Sequence, residues 1–108
     1  MQLQGNLFAD VPSSLPAELF QTLWQTPQLK LERIVSRGHA TPPGQWYDQE
    51  TDEWVVLLKG SAGLWVEGVE EMAELKPGDY VFLPARVRHR VEWTAADDVT
   101  VWLALHAR

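Results

Sequence analysis

The sequence predicts an all-β fold, a barrel or sandwich of short strands, from three observations. Seven runs of β-branched, leucine-rich or aromatic character, at 29–36, 54–59, 62–67, 72–75, 80–84, 89–94 and 99–106, follow one another. Turn-forming sequences separate most of them: Lys59-Gly60-Ser61, Glu67-Gly68, Lys76-Pro77-Gly78-Asp79, Pro84-Ala85 and the stretch from Thr94 to Asp98. No helix-length apolar stripe lies between the runs, which argues against a βαβ arrangement.

In chain order, residues 1–14 form an irregular arm. Ser13-Ser14-Leu15-Pro16-Ala17-Glu18 then has the marks of a helix start: a hydroxyl cap, Pro in the first turn and an early acid. Leu19, Phe20, Leu23 and Trp24 give that expected helix one apolar stripe, and Pro27 ends it. The expected division is an arm with a short helix over 1–28, packed on a barrel over 29–108. Within the barrel, Leu29, Leu31, Arg33 and Val35 alternate with Lys30, Glu32, Ile34 and Ser36, a half-buried strand pattern. If His89 points inward, period two takes Val91 and Trp93 with it. In the last run Val99, Val101, Leu103 and Leu105 share one face, and Thr100, Trp102, Ala104 and His106 the other. Trp102 on that second face implies cover from the helix or from a second subunit.

The chain has 108 residues, the size of one domain, with 45% hydrophobic and 22% charged residues, an ordinary globular balance. There is no cysteine, which excludes disulfides, thiolate nucleophiles and Cys-ligated metals and suits a reducing compartment. The N-terminal stretch lacks the pattern of a secretory leader and no apolar run approaches the roughly 18 residues of a membrane span. A cytoplasmic protein is expected. A net charge of −6 argues against nucleic acid or an anionic membrane as partner. The one basic cluster, Arg86, Arg88, His89 and Arg90, suits a single small anion.

Two segments resemble the paired motifs of the cupin superfamily. The second motif normally runs G, five residues, P, one residue, G, two residues, H, three residues, N. Gly78, Pro84 and His89 keep that spacing, with Arg86 in place of the second Gly and Trp93 in place of the Asn. The first motif ends in E, six residues, G, which Glu53 and Gly60 preserve. Its His-x-His pair is missing; Tyr47 and Gln49, or Trp46 and Asp48, stand there according to the spacing used. The resemblance covers roughly residues 29–106 and implies a cupin double-stranded β-helix (jelly-roll barrel). It is nearest to small stand-alone cupins with Trp-Tyr-Asp-Gln before the glutamate.

In metal-binding cupins the two His of the first motif, its Glu and the His of the second hold the ion. The resemblance therefore implies a divalent metal (Zn, Fe, Ni or Mn) with His89 and Glu53 as ligands, joined by Gln49, Asp48 or His39. Tyr47, Asp48, Trp93 and Arg86 are the expected substrate-pocket residues. The implied functions are a metal-dependent oxygenase, isomerase or lyase; a non-catalytic sugar or small-acid binder; or a metal-free epimerase-like enzyme. In the last, His89 is the base, Tyr47 the acid, and Glu53 raises the His89 pKa. Plainer readings stand beside these. Glu53 could pair with Arg33 or Arg37, and His89 could be a hydrogen-bonded barrel histidine. His39 and His106 read as solvent-exposed. The tryptophans read as core and as packing in a homodimer, and the Arg86-Arg88-Arg90 alternation as a solvated edge or as an anion clamp at the pocket rim.

Overall fold

The computed structural model describes residues 3–108, in which eight strands follow in chain order. The first two residues of the expected arm lie outside the described residues. The strands are β1 (Leu19–Gln25), β2 (Leu29–Ser36), β3 (Asp52–Lys59), β4 (Ala62–Val66), β5 (Ala73–Leu75), β6 (Tyr80–Leu83), β7 (His89–Thr94) and β8 (Thr100–Ala107). They form a five-stranded antiparallel sheet, β1-β2-β8-β3-β6, and a three-stranded one, β5-β4-β7. The all-β expectation holds, and each of the seven expected runs is a strand to within two residues at its ends.

The expected N-terminal helix does not form; among the described residues there is no helix. Residues 19–25 instead pair along β2, from Leu19↔Val35 to Gln25↔Lys30. Thr26 closes the hairpin, its Oγ1 accepting from the backbone N–H of Gln28 and of Leu29. The physical reason is partner availability. A helix this short is marginal alone, whereas a strand satisfies the free edge of β2 with a ladder broken once, between Thr22 and Trp24.

The core lies between the sheets. Val55, Leu57, Leu83, Trp102 and Ala104 from the larger sheet meet Ala62, Leu64 and Leu75 from the smaller. A second cluster, Val35, Val99 and Val101, sits under the arm residues Val11 and Leu15 on the other side of the larger sheet. Arg33, buried, ties the arm down by donating to the carbonyls of Leu7 and Ala9 and to Gln21. The period-two reading of the last strand is therefore right. The face carrying Trp102, Ala104 and His106 is the inward one, so Trp102 needs no second subunit to cover it.

Two motif positions have local causes. At Gly60, φ is +90° and a Cβ would come within 2.4 Å of Thr100 Oγ1 and 2.7 Å of backbone, so the β3–β4 turn closes only on glycine. Arg86, where the motif has its second Gly, has φ +68°, the left-handed region that glycine occupies without cost. Its N–H donates to the Gln49 carbonyl at 2.7 Å, which holds it there.

Candidate functional site: a pocket between the sheets

A cavity of about 70 Å³ lies between the sheets. Its walls include Glu32, Glu53, His89, His106, Tyr47, Gln49 and Trp102. Strand register places these groups. Lys30, His106, Glu53 and Leu83 are successive partners across β2, β8, β3 and β6, so His106 and Glu53 stand side by side.

Glu53 and His89, the two expected site residues, do meet. His89 Nε2 lies 3.6 Å from Glu53 Oε1, and both side chains are buried. His89 Nδ1 is 3.3 Å from the Val87 carbonyl, which favours the tautomer with its proton on Nδ1 and leaves Nε2 as an acceptor. Burial pushes the Glu53 pKa up, partly offset by His106, and burial pushes the His89 pKa down. Each group is therefore shifted toward its neutral form. This corrects the expectation that Glu53 raises the His89 pKa: loss of solvent outweighs the opposing Val87 carbonyl, and Glu53 lies across a gap too long for a hydrogen bond. Two buried polar atoms on the pocket walls, Glu53 Oε1 and Trp102 Nε1, have no hydrogen-bond partner.

Tyr47 and Gln49 both line the pocket. Tyr47 exchanges backbone hydrogen bonds with His89 (2.7 and 3.1 Å) and its ring stacks on the imidazole at 5.5 Å. The structure thereby selects between the two alignments of the first motif. Tyr47 and Gln49 occupy the inward positions, whereas Trp46 lies near Arg88 and Arg90, and Asp48 pairs with Arg86 at 3.2 Å in a solvent-exposed bridge.

Several expected site residues are elsewhere. His39 Nδ1 accepts from the N–H of Arg37 and its carbonyl accepts from Thr94, and it is not a wall of the pocket. Arg86 and Asp48 face away together, so neither lines the pocket. Trp93 is displaced by a β-bulge. Gly63 pairs with Trp93 but Leu64 with Val91, so Glu92 is the extra residue and the inward–outward alternation breaks there. Trp93 packs beside Gly63 and Met72, and Thr94 is buried in its stead. The arginines form no clamp at the pocket: Arg88 pairs with Glu67, and Arg90 donates to the carbonyls of Thr41, Pro42 and Gln45.

The residues missed from sequence are His106 and Glu32. His106 Nε2 bonds Glu32 Oε1 at 2.9 Å. That bond raises the His106 pKa and lowers that of Glu32, shifting both groups toward their charged forms. The usable signal was His106 sharing a face with Trp102 by period two.

These donors do not fit a tightly held divalent metal. Among the described residues no three His, Asp or Glu side chains converge. The two inward positions of the first motif carry a phenol, whose pKa burial raises further, and an amide. Both are poor substitutes for imidazole.

A family profile described as "Cupin domain" matches residues 34–106. A protein of Ralstonia eutropha JMP134, provisionally named a mannose-6-phosphate isomerase, is 52% identical in sequence. Its crystal structure superposes with a TM-score of 0.94 over 96% of each chain. A Thermus thermophilus structure, 22% identical, gives a TM-score of 0.78 over 96% of this chain and 95% of that one, a likeness of fold alone. Among curated proteins, a 3-hydroxyanthranilate 3,4-dioxygenase of Paraburkholderia phytofirmans is 31% identical over 81 residues, 73% of this chain. The match spans only 45% of that enzyme's length.

Proposed function

The chain belongs to the cupin family, and on that premise we propose an acid–base enzyme acting on a small polar hydroxy-carbonyl compound, in an isomerase-type proton transfer. The observation that carries this reading is the buried Glu53–His89 pair. An unprotonated Nε2 faces a carboxyl oxygen that no protein group satisfies, across a 3.6 Å gap. A carbonyl compound seated against both groups would meet a base and an acid side by side on one wall of the pocket. His89 Nε2 takes the proton from the carbon beside the carbonyl while Glu53 gives its proton to the carbonyl oxygen. His89 then returns its proton to the former carbonyl carbon while Glu53 takes the proton of the hydroxyl on the adjacent carbon, which becomes the new carbonyl and restores both groups. The Trp102 N–H supplies a donor for a ligand oxygen. The provisional isomerase name of the 52% identical relative agrees with this reading.

The test is deuterium exchange in D2O, followed by NMR, with mannose 6-phosphate and a panel of aldoses and hydroxy acids. The parent should exchange the proton next to a carbonyl, and His89→Asn and Glu53→Gln should slow exchange about 10²–10⁴-fold. A parent that binds a panel member without exchanging any proton sinks the catalytic reading and leaves a binding module. Exchange that stops on adding a chelator would return the site to metal chemistry.

We also propose that the protein is a homodimer joined through the outer face of the five-stranded sheet. Leu31, Leu105, Trp54 and Phe82 are cross-strand neighbours there, and Trp54, Tyr80 and Phe82 are exposed. Exposed aromatics on a sheet face are the usual mark of a contact surface.

A further inference from the structure

We infer that a second, outer cleft docks an anionic group of the ligand, a phosphate or carboxylate, against a wall formed by Lys30, His106 and Arg108. The inference rests on the reading that the ligand's reacting end enters the pocket at Glu53 and His89. The cleft measures about 670 Å³ and shares Phe20, Glu32, Gln49 and His106 with the pocket.

Size is the first argument. A pocket of about 70 Å³ has room for the volume of roughly two water molecules, enough for the reacting end of a ligand and no more. The adjoining cleft falls in the roughly 300–1,000 Å³ range of small-molecule sites. A ligand that reacts in the pocket must therefore leave most of its atoms in the cleft.

Charge is the second argument. The chain carries a net charge of −6, yet the cleft wall holds three basic side chains against one acidic side chain, Glu32, and the main-chain carboxylate of Arg108. Glu32 is already engaged twice, by His106 at 2.9 Å and by Lys30 at 3.6 Å. Arg108 is held beside the β1–β2 turn through its N–H, which donates to the Gln28 carbonyl at 2.8 Å. The local excess of positive charge runs against the sign of the whole molecule, as an anion site requires.

Register is the third argument. Lys30, His106 and Glu53 are successive cross-strand partners. Adjacent strands lie about 4.8 Å apart, so the backbone at Lys30 is about 10 Å from that at Glu53. The row sets the spacing between an anion at one end and a carbonyl at the other.

The experiment is calorimetric titration at low salt with mannose 6-phosphate, mannose, inorganic phosphate and acetate. Mannose 6-phosphate should bind at least tenfold more tightly than mannose, and phosphate against acetate tells which anion the cleft prefers. The double variant Lys30→Gln/Arg108→Gln should lose about tenfold in affinity for the preferred anion, while Lys30→Arg keeps it. Thermal melting of each variant separates lost binding from lost folding. A parent that binds neither anion, or a folded double variant that binds as tightly as the parent, overturns the inference. His89→Asn should still bind the anion. Anion binding that depends on Lys30 without any proton exchange would remove only the acid–base reading, and exchange indifferent to Lys30 and Arg108 would remove only this one.

Discussion

His89 and His106 line the same pocket, yet their surroundings drive their proton affinities in opposite directions. His89 has the Val87 carbonyl on Nδ1 and no hydrogen-bonded carboxylate, so burial dominates and shifts the ring toward its neutral form. His106 has Glu32 at hydrogen-bond distance, and that bond outweighs its own burial. The sign of the stability effect follows. The raised His106 pKa contributes stability that is complete below the unfolded value of 6.5 and is lost as pH rises through the folded one. The lowered Glu32 pKa contributes stability that is complete above 4.5 and is lost as pH falls through the folded one. Urea denaturation across pH should show His106→Gln costing about 1–3 kcal/mol, most between these two values and less on either side. A cost that does not vary with pH would mean that the pair is not ionised. The sequence offered Glu53 and His89 because their spacing to Gly60 and Pro84 is a motif. It offered no such frame for His106, whose partner Glu32 lies 74 residues away.

At the scale of elements, local pattern and tertiary demand agree in most places and part in two. The stretch 19–25 has a helix-like apolar spacing, but β2 needs a partner on its outer edge, and pairing at six positions outweighs a two-turn helix. In β7 strict alternation predicts Trp93 inward, and one extra residue at Glu92 reverses it. A bulge leaves no mark in period two, so nothing local could have announced it. Gly60 shows the opposite case, where a sequence motif has a direct steric cause. Gly60→Ala should destabilise the protein by about 2–5 kcal/mol, from a left-handed backbone and a clash with Thr100 backbone that cannot rotate away. Thermal unfolding of that variant within about a degree of the parent would show that the turn relaxes more readily than its packing implies.

Across the whole molecule, the two faces of the large sheet have different tasks. One closes the core and the pocket. The other is covered by the arm at Val35, Val99 and Val101 and left bare around Trp54, Tyr80 and Phe82. Trp102, 4% exposed, belongs to the first face; Trp54, 37% exposed, belongs to the second. Trp54→Asp should therefore shift sedimentation from dimer to monomer at micromolar concentration without unfolding the barrel. A monomeric parent, or a variant that stays dimeric, would remove the dimer proposal.

Seven of the eight strands, the rhythm of turns and the motif spacings around Glu53 and His89 were legible in the sequence, because each depends on residues near one another in the chain. Which face of β2 and β8 turns inward was not legible. In β2 the more apolar side, with Leu31 and Val35, faces outward, and the side carrying Lys30 and Glu32 turns toward the barrel and its cleft. Alternation fixes that two faces exist, but their assignment depends on what packs against each. Here Arg33 and the arm cover the outer one, and Arg33 reaches Leu7 and Ala9 across 26 and 24 positions of chain. The sequence determined a cupin barrel and brought Glu53 and His89 forward as a candidate pair. Tertiary structure decided that Tyr47 and Gln49 stand in the places of the missing histidines and that His106 and Glu32 complete the pocket. It also placed the cations at the cleft rather than in the arginine cluster, because only packing between distant segments brings those groups together.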